Sequence, residues 1–295
     1  MPVTPRPATP ADAPEIVALQ HRWDTHWFGA AEHDEADVRA DLRRAEPLAD
    51  RSRLLLDGDR LVAAAWWWRP DDPTVLVDPE TDTGAAARDL MAWLARGGAD
   101  AVEVLSRDTV LRDVLADLGW VHARSQFELI RPAEDLPPPG WPEGVAVSTL
   151  ADDAEEVHRL VYEQAGWADV PGHTTRDLEE WRGLFVTGED PSQQVLARLD
   201  GRLVGVAMGK VFPDGTGWVA QVAVHRDHQG RGLGSALLAE AFARRVAAGA
   251  TQVGLGVSAT NAGALRLYER LGLTIDREWM VYRHLPPLQR ELGSQ

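Results

Sequence analysis

Between Trp218 and Ser235 the chain runs from an apolar stretch ending at Val224, through a short polar turn, to three alternating glycines, Gly230, Gly232 and Gly234. An amphipathic stretch follows at once, with Leu237, Ala241 and Arg245 at one spacing and Leu238 and Phe242 beside them. A strand that ends in a glycine loop and opens a helix offers backbone N–H groups to an anion. The free N–H groups of a first helical turn carry partial positive charge, and glycine lets a ligand approach the main chain closely. The ligand class this spacing points to is a phosphorylated cofactor. Downstream, Asn261 and Tyr268 lie in a second helical segment. By residue type alone Asn261 reads as a helix cap and Tyr268 as a half-buried packing residue.

Two phosphate-loop types are excluded by residue type. A Walker A loop requires Gly-Lys-Ser/Thr, and the single lysine of the chain, Lys210, lies upstream of the glycines. A dinucleotide fingerprint requires Gly-x-Gly-x-x-Gly, whereas these glycines read Gly-x-Gly-x-Gly with Leu237 where the last would fall. What remains is Gln229-x-x-Gly232-x-Gly234, followed by a strand over 252–258 and by Asn261-x-x-Ala264-x-x-Leu267-Tyr268-x-x-x-Gly272-Leu273. In their order and separation these two segments resemble the GNAT superfamily of N-acetyltransferases, over roughly residues 145–285. Leu273 stands where that family usually has phenylalanine.

The resemblance implies acetyl-CoA as cofactor and an acyl transfer to an amine. It implies that Val222, Ala223 and Val224 pair with the pantetheine arm like an added strand, with the Val222 N–H facing the developing oxyanion. It further implies that Gln229, Gly230, Arg231, Gly232, Leu233, Gly234 and Ser235 hold the pyrophosphate, that Asn261 and Tyr268 border the cofactor, and that Tyr268 protonates the departing sulfur. The general base stays open among Glu163, His173, His225 and a water on Gln221. Trp218 occupies the position where many members carry a glutamate base, and Gly256 another position used for a carboxylate.

These residues need a frame, and composition bounds it. With 295 residues and 44% hydrophobic content there is chain enough for two domains with cores. There is no cysteine, which removes disulfides, thiolate nucleophiles and thiolate metal sites. A net charge of −16 argues against nucleic acid, whose phosphates need a basic face. The apolar runs are too short for a membrane span and the first residues lack a signal-peptide core, so the expectation is a cytoplasmic protein without membrane association. Residues 221–290 hold nine Arg against five acids, a local +4 within an acidic chain, which suits an anionic cofactor.

The chain also repeats itself. Asp57-Gly58-Asp59-Arg60-Leu61-Val62 matches Asp200-Gly201-Arg202-Leu203-Val204, Thr9 to Glu15 matches Thr149 to Glu155, and Leu111 to Trp120 matches Leu265 to Leu273. The expected fold is α/β (α+β), two tandem GNAT-like domains, each a mixed central sheet flanked by helices. The boundaries are 1–131, a proline-rich linker at 132–144, and 145–295. The Trp66-Trp67-Trp68 run ends a strand and is read as core or inter-domain packing ahead of an acceptor platform.

The first repeat lacks the chemistry of the second. Its loop reads Asp78-Pro79-Glu80-Thr81-Asp82-Thr83-Gly84, with Thr81 opposite Gln229, one glycine for three, and carboxylates that would repel a pyrophosphate. Leu115 stands opposite Tyr268 and Asp108 opposite Asn261. The first domain is therefore expected to be degenerate, without a cofactor site. Tandem GNAT proteins with one active half include the mycothiol synthases, which the second half resembles in its loop and its Asn…Tyr segment; Trp218 weighs against the same substrate. The expected function is acetyl-CoA-dependent N-acetylation of the primary amine of a small molecule by a monomer or weak homodimer. An acyl-CoA-binding sensor and a protein N-acetyltransferase are the alternatives.

Overall fold

The first repeat runs β1 (Thr4–Arg6), α1 (Ala13–Phe28), α2 (Glu35–Arg44), α3 (Leu48–Arg51), β2 (Ser52–Asp57), β3 (Arg60–Trp67), β4 (Pro73–Val77), α4 (Thr83–Gly97), β5 (Ala101–Leu105), α5 (Thr109–Asp117) and β6 (Trp120–Pro132). The second runs β7 (Val145–Ser148), α6 (Ala154–Arg159) continuing into a π-helical turn at Leu160–Gln164, then α7 (Leu178–Phe185), β8 (Val195–Leu199) and β9 (Arg202–Val211). After these come β10 (Thr216–Val224), α8 (Leu233–Ala247), β11 (Gln252–Ser258), α9 (Ala262–Arg270) and β12 (Thr274–His284). The structure, a computed structural model, describes residues 3–81, 83–167 and 175–284.

The duplication read from the sequence is present in the backbone. Both repeats close a hairpin with two residues. Asp57 pairs Arg60 around Gly58 (φ 62°), and Leu199 pairs Arg202 around Asp200 and Gly201 (φ 51° and 78°), the left-handed pair of a primed turn. Each hairpin carries a register shift just before its turn, at Leu55/Leu56 and at Ala197/Arg198. α5 and α9 begin with matched caps, Asp108 accepting from the Leu111 N–H (2.9 Å) and Asn261 from the Ala264 N–H (3.1 Å).

As compact units, however, the chain divides into Met1–Gln126 with Arg277–Gln295, and Phe127–Asp276. The cause is where the last strand of each repeat pairs. Trp279–Arg283 of β12 lie antiparallel to Leu105–Ala101 of β5 in the first unit, while residues 127–132 of β6 neighbour β11 in the second. The proline-rich stretch is bound into the second unit. There Ala133 N–H donates to Thr251 O (3.0 Å), Arg131 donates to Leu271 O (2.5 Å), and Leu136 and Trp141 pack on the core. The limits 1–131 and 145–295 remain our proposal for the two repeats.

In each unit strands lie between two layers of helix. In the first, β3 alternates: Ala63 and Ala65 face Leu90, Met91 and Leu94 of α4, and Ala64 and Trp66 face Ile16, Leu19, Val38 and Leu42 of α1 and α2. Trp66 and Trp67 thereby enter opposite cores, the packing role expected for them. In the second unit the strand order is β6-β11-β10-β9-β8-β7. Ala207 faces Leu237, Leu238 and Phe242 of α8, whereas Val206 and Met208 face Val157 and Trp181 of α6 and α7.

Candidate active site

β10 breaks from both of its neighbours at one place. Against β9, Val219 pairs Gly209 and Gln221 pairs Met208, leaving Ala220 as the extra residue of a β-bulge. Against β11, parallel pairing runs from Thr216↔Gln252 to Val219↔Leu255 and stops, although β11 continues to Ser258. The last residues of β10 therefore have an edge without a ladder partner from β11.

Alternation decides what that edge offers. His225 N–H donates to Val204 O at 2.9 Å. In an antiparallel ladder every second residue turns its backbone to the same neighbour, so Gln221 and Ala223 face β9, and Val222 and Val224 face the parted side. Val224 C=O accepts from Gln229 Nε2 at 3.0 Å, which leaves Val222 N–H and C=O and Val224 N–H for an extended ligand. Ala223, expected among the ligand-pairing residues, gives its backbone to β9 and buries its methyl against α6.

Gln229 leads from β10 into the glycine loop. Gly230 and Gly232 have φ of 73° and 85°, and a Cβ at either would meet no atom within 4 Å. Their need for glycine is thus conformational, and the space above them is open. Gly234 differs, since a Cβ there would touch Leu267 Cδ2 at 3.4 Å. The first intrahelical bond of α8 runs from Ala236 N–H to Gly232 O (3.1 Å), so the N–H groups of Leu233, Gly234 and Ser235 are the unfilled donors of a helix start. Arg231 is exposed beside them and makes no ion pair among the described residues. These features fit a phosphate group.

Tyr268 is 5% exposed and packs in the core that contains Leu233, Leu237 and Leu271. Burial pushes its phenol up to about 12, so it holds its proton at neutral pH. Its hydroxyl donates to no acceptor among the described residues. Asn261 acts as the cap of α9, as described above, and its amide nitrogen has no partner among the described residues.

The candidates for the base fare differently. Gln221 is buried and its Oε1 accepts from Trp181 Nε1 at 2.9 Å, so that oxygen is already engaged. His225 Nδ1 accepts from the Asp227 N–H (3.2 Å), and Glu163 is exposed in the π-helical turn. His173 lies outside the described residues. The two positions that lack a carboxylate fill each other: the Trp218 indole lies 3.0 Å from where a Cβ of Gly254 would be and 3.7 Å from that of Gly256.

In the first unit the corresponding loop is occupied by its own carboxylate. Asp78 is fully buried; its Oδ2 accepts from Arg22 Nε and Arg60 Nη2, both at 2.8 Å, and its Oδ1 from the Glu80 N–H at 3.0 Å. From its sequence Asp78 is expected to be a repelling charge. In the fold it is neutralised by arginines and takes a loop N–H for itself. Asp82 lies outside the described residues. Leu115 is fully buried opposite Tyr268.

Residues 154–273 match the model of the Acetyltransferase (GNAT) family. A mycothiol acetyltransferase of Thermobispora bispora is 32% identical over 292 residues, covering 92% of this chain and 95% of that protein. The chain belongs to the GNAT family of acetyltransferases. A mycothiol acetyltransferase of Mycobacterium avium is 40% identical over 187 residues, covering 55% of this chain and 57% of its own. Among solved structures, a GCN5-related N-acetyltransferase from Sphaerobacter thermophilus superposes with a TM-score of 0.81 at 24% identity, covering 96% of this chain and 95% of that one. A tandem GNAT protein from the clavulanic acid biosynthesis pathway gives 0.70 at 16% identity, covering 96% and 98%. This GNAT protein is accordingly an N-acetyltransferase of tandem type. None of its described helices is long and apolar enough to cross a membrane.

Proposed function

We propose that this GNAT chain transfers the acetyl group of acetyl-CoA to the primary amine of a small molecule, in its second unit. The observation that carries the reading is the parted edge of β10, which leads through a short turn at Arg226–His228 and the glycine loop into an open helix start. An extended arm beside Val222 and Val224 ends at the N–H donors of Leu233 to Ser235, the shape and charge pattern of a pantetheine joined to a pyrophosphate. Gln229 secures the corner between the two by holding Val224 C=O. When bound, acetyl-CoA supplies the acetyl group as a thioester.

The chain's own groups then divide the work. Val222 N–H donates to the carbonyl oxygen as negative charge develops there. The amine nitrogen forms its bond to the carbonyl carbon, the bond from that carbon to sulfur breaks, and Tyr268 gives the sulfur a proton. The acceptor enters as the neutral amine and loses a proton to solvent or to a base on the α6–α7 side. Trp218 and Gly256 leave no carboxylate on the central strands for that task.

The acceptor follows from the relatives rather than from the site. Trp218 weighs against mycothiol synthesis at the level of the sequence, but a relative of that name matches over 92% of the chain. Mycothiol lacking its acetyl group is therefore the first amine to test. The protein is taken to work in the cytoplasm as a monomer or weak homodimer. Thiol release from acetyl-CoA, with mass spectrometry of the product, tests the reading. The expected result is one free CoA for each acetylated amine. Acetyl-CoA that neither binds nor turns over with this acceptor or with amino sugars and aminoglycosides would overturn it.

A further inference from the structure

Behind the bulge of β10 lies a buried polar knot that the reaction does not require chemically. Arg245, on α8, has no solvent exposure and, among the described residues, no carboxylate partner. Its Nε donates to Trp218 O at 2.9 Å, and its Nη1 donates to Ala241 O at 2.8 Å and, more weakly, to Gln193 O at 3.4 Å. Its Nη2 is buried and finds no acceptor among the described residues. Gln194, 1% exposed, clasps the backbone of Gly209: Nε2 donates to Gly209 O (3.0 Å) and Oε1 accepts from Gly209 N–H (2.9 Å). Gly209 itself is the partner of Val219 at the edge of the bulge, with φ of 156°. A Cβ on Gly209 would stand 2.0 Å from Trp218 O and 2.8 Å from Arg245 Nη2, so glycine alone fits.

The molecule holds its own control. In the first unit Ala99 N–H bonds back to Leu94 O at the end of α4, as Ala250 N–H bonds back to Arg245 O at the end of α8. Leu94 therefore holds the helix position of Arg245. Trp67 is the eighth residue of β3, as Gly209 is of β9. With leucine and tryptophan in these places, β3 and β4 pair from Ala63↔Val77 to Trp67↔Pro73 without a register shift. The bulge is present where arginine and glycine stand and absent where they do not. An unpaired buried guanidinium is costly compared with an aliphatic side chain, and burial with the neighbouring Arg244 brings Arg245 down to about 10. Packing alone is served by Leu94, which fills the same place in the first unit.

We propose that Arg245 and Gln194 are positioning residues: they hold the bulge at Ala220 and so turn the Val222 edge of β10 toward the arm of an acyl-CoA. This rests on the acyl-CoA reading above. One helix would then serve both ends of the cofactor, its first turn the phosphates and its last turn the strand edge.

Two ligands separate positioning from general stability. CoA spans the loop and the strand edge, whereas 3′,5′-ADP carries only the phosphorylated end. By titration calorimetry, Arg245→Met and Gln194→Leu should each bind CoA about tenfold or more weakly while binding 3′,5′-ADP within about twofold of wild type. Arg245→Lys, which keeps a donor for Trp218 O, should recover most of the CoA affinity. Equal losses for both ligands, or no loss for either, would overturn the proposal. So would unfolding of both variants, which would assign the knot to stability alone. Failure of the underlying reading looks different: wild-type protein would bind neither ligand.

Discussion

Replacing Gly232 with valine tests the anion site most directly. The left-handed φ of 85° is poorly accessible to a β-branched residue, at roughly 1–2 kcal/mol for an L-side chain. An added side chain meets no protein atom near its Cβ, so the cost to folding is confined to that strain. Strain present with and without ligand cancels from an affinity. What affinity reports is the loss that follows if the peptide relaxes and withdraws the N–H donors at the start of α8, together with contact between the new methyls and the phosphate. One charge-assisted hydrogen bond is worth about 1.5–3 kcal/mol, so CoA should bind about 1–3 kcal/mol more weakly, roughly five- to 150-fold. Gly234→Ala is the comparison, because its Cβ would make an ordinary 3.4 Å contact and the fold should tolerate it. Calorimetric titration with CoA, run beside thermal melting, reads both effects. Folded Gly232→Val protein with wild-type CoA affinity would refute the phosphate assignment.

The remaining expectations concern Tyr268 and the first unit. Tyr268→Phe should lower turnover by about 10²-fold or more with CoA affinity changed only several-fold; wild-type turnover would return the residue to packing. Because the folded phenol titrates at about 12 against an ordinary 10.0, the unfolded chain loses this proton first. Its contribution to stability is thus complete below pH 10 and is lost as pH rises through 12. Near-ultraviolet difference titration against Tyr268→Phe should show no tyrosinate from this residue at pH 10, and a full signal there would contradict its burial. Titration of the whole chain with CoA should give a stoichiometry near one, lost in Gly232→Val if that variant abolishes binding. A second equivalent bound in wild type would show that the loop around Asp78 still accepts a phosphate.

Much of this site was readable because glycine, asparagine and tyrosine announce local geometry. Gly230 and Gly232 require left-handed backbone, Asn261 caps a helix, and a two-residue Asp/Gly hairpin turn recurs in both halves. What escaped depends on contacts far apart in the chain. Gly209 and Gln194 carry no local signal of a bulge that forms on another strand, β10. Arg245 did leave a trace, a charged residue on the apolar stripe of α8 in line with Leu237 and Ala241, and its meaning needed the Trp218 carbonyl in place. Asp78 reads in the sequence as a charge facing a phosphate, whereas Arg22 and Arg60 reach it from α1 and β3 and neutralise it. The chain segments of the compact units were equally out of reach, because strand periodicity is silent about which sheet a strand joins.

That assignment of strands bears on how the protein is made. The first unit takes its strand beside β5 from Trp279–Arg283, residues that leave the ribosome only after the whole of Phe127–Asp276. The amino-terminal unit is thus first to be synthesised and last to be completed, with β5 waiting for a partner more than half the chain away. A gene fragment stopped at the proline-rich stretch would encode neither compact unit whole, and a stop codon shortly before residue 277 would damage the unit that begins at the other terminus.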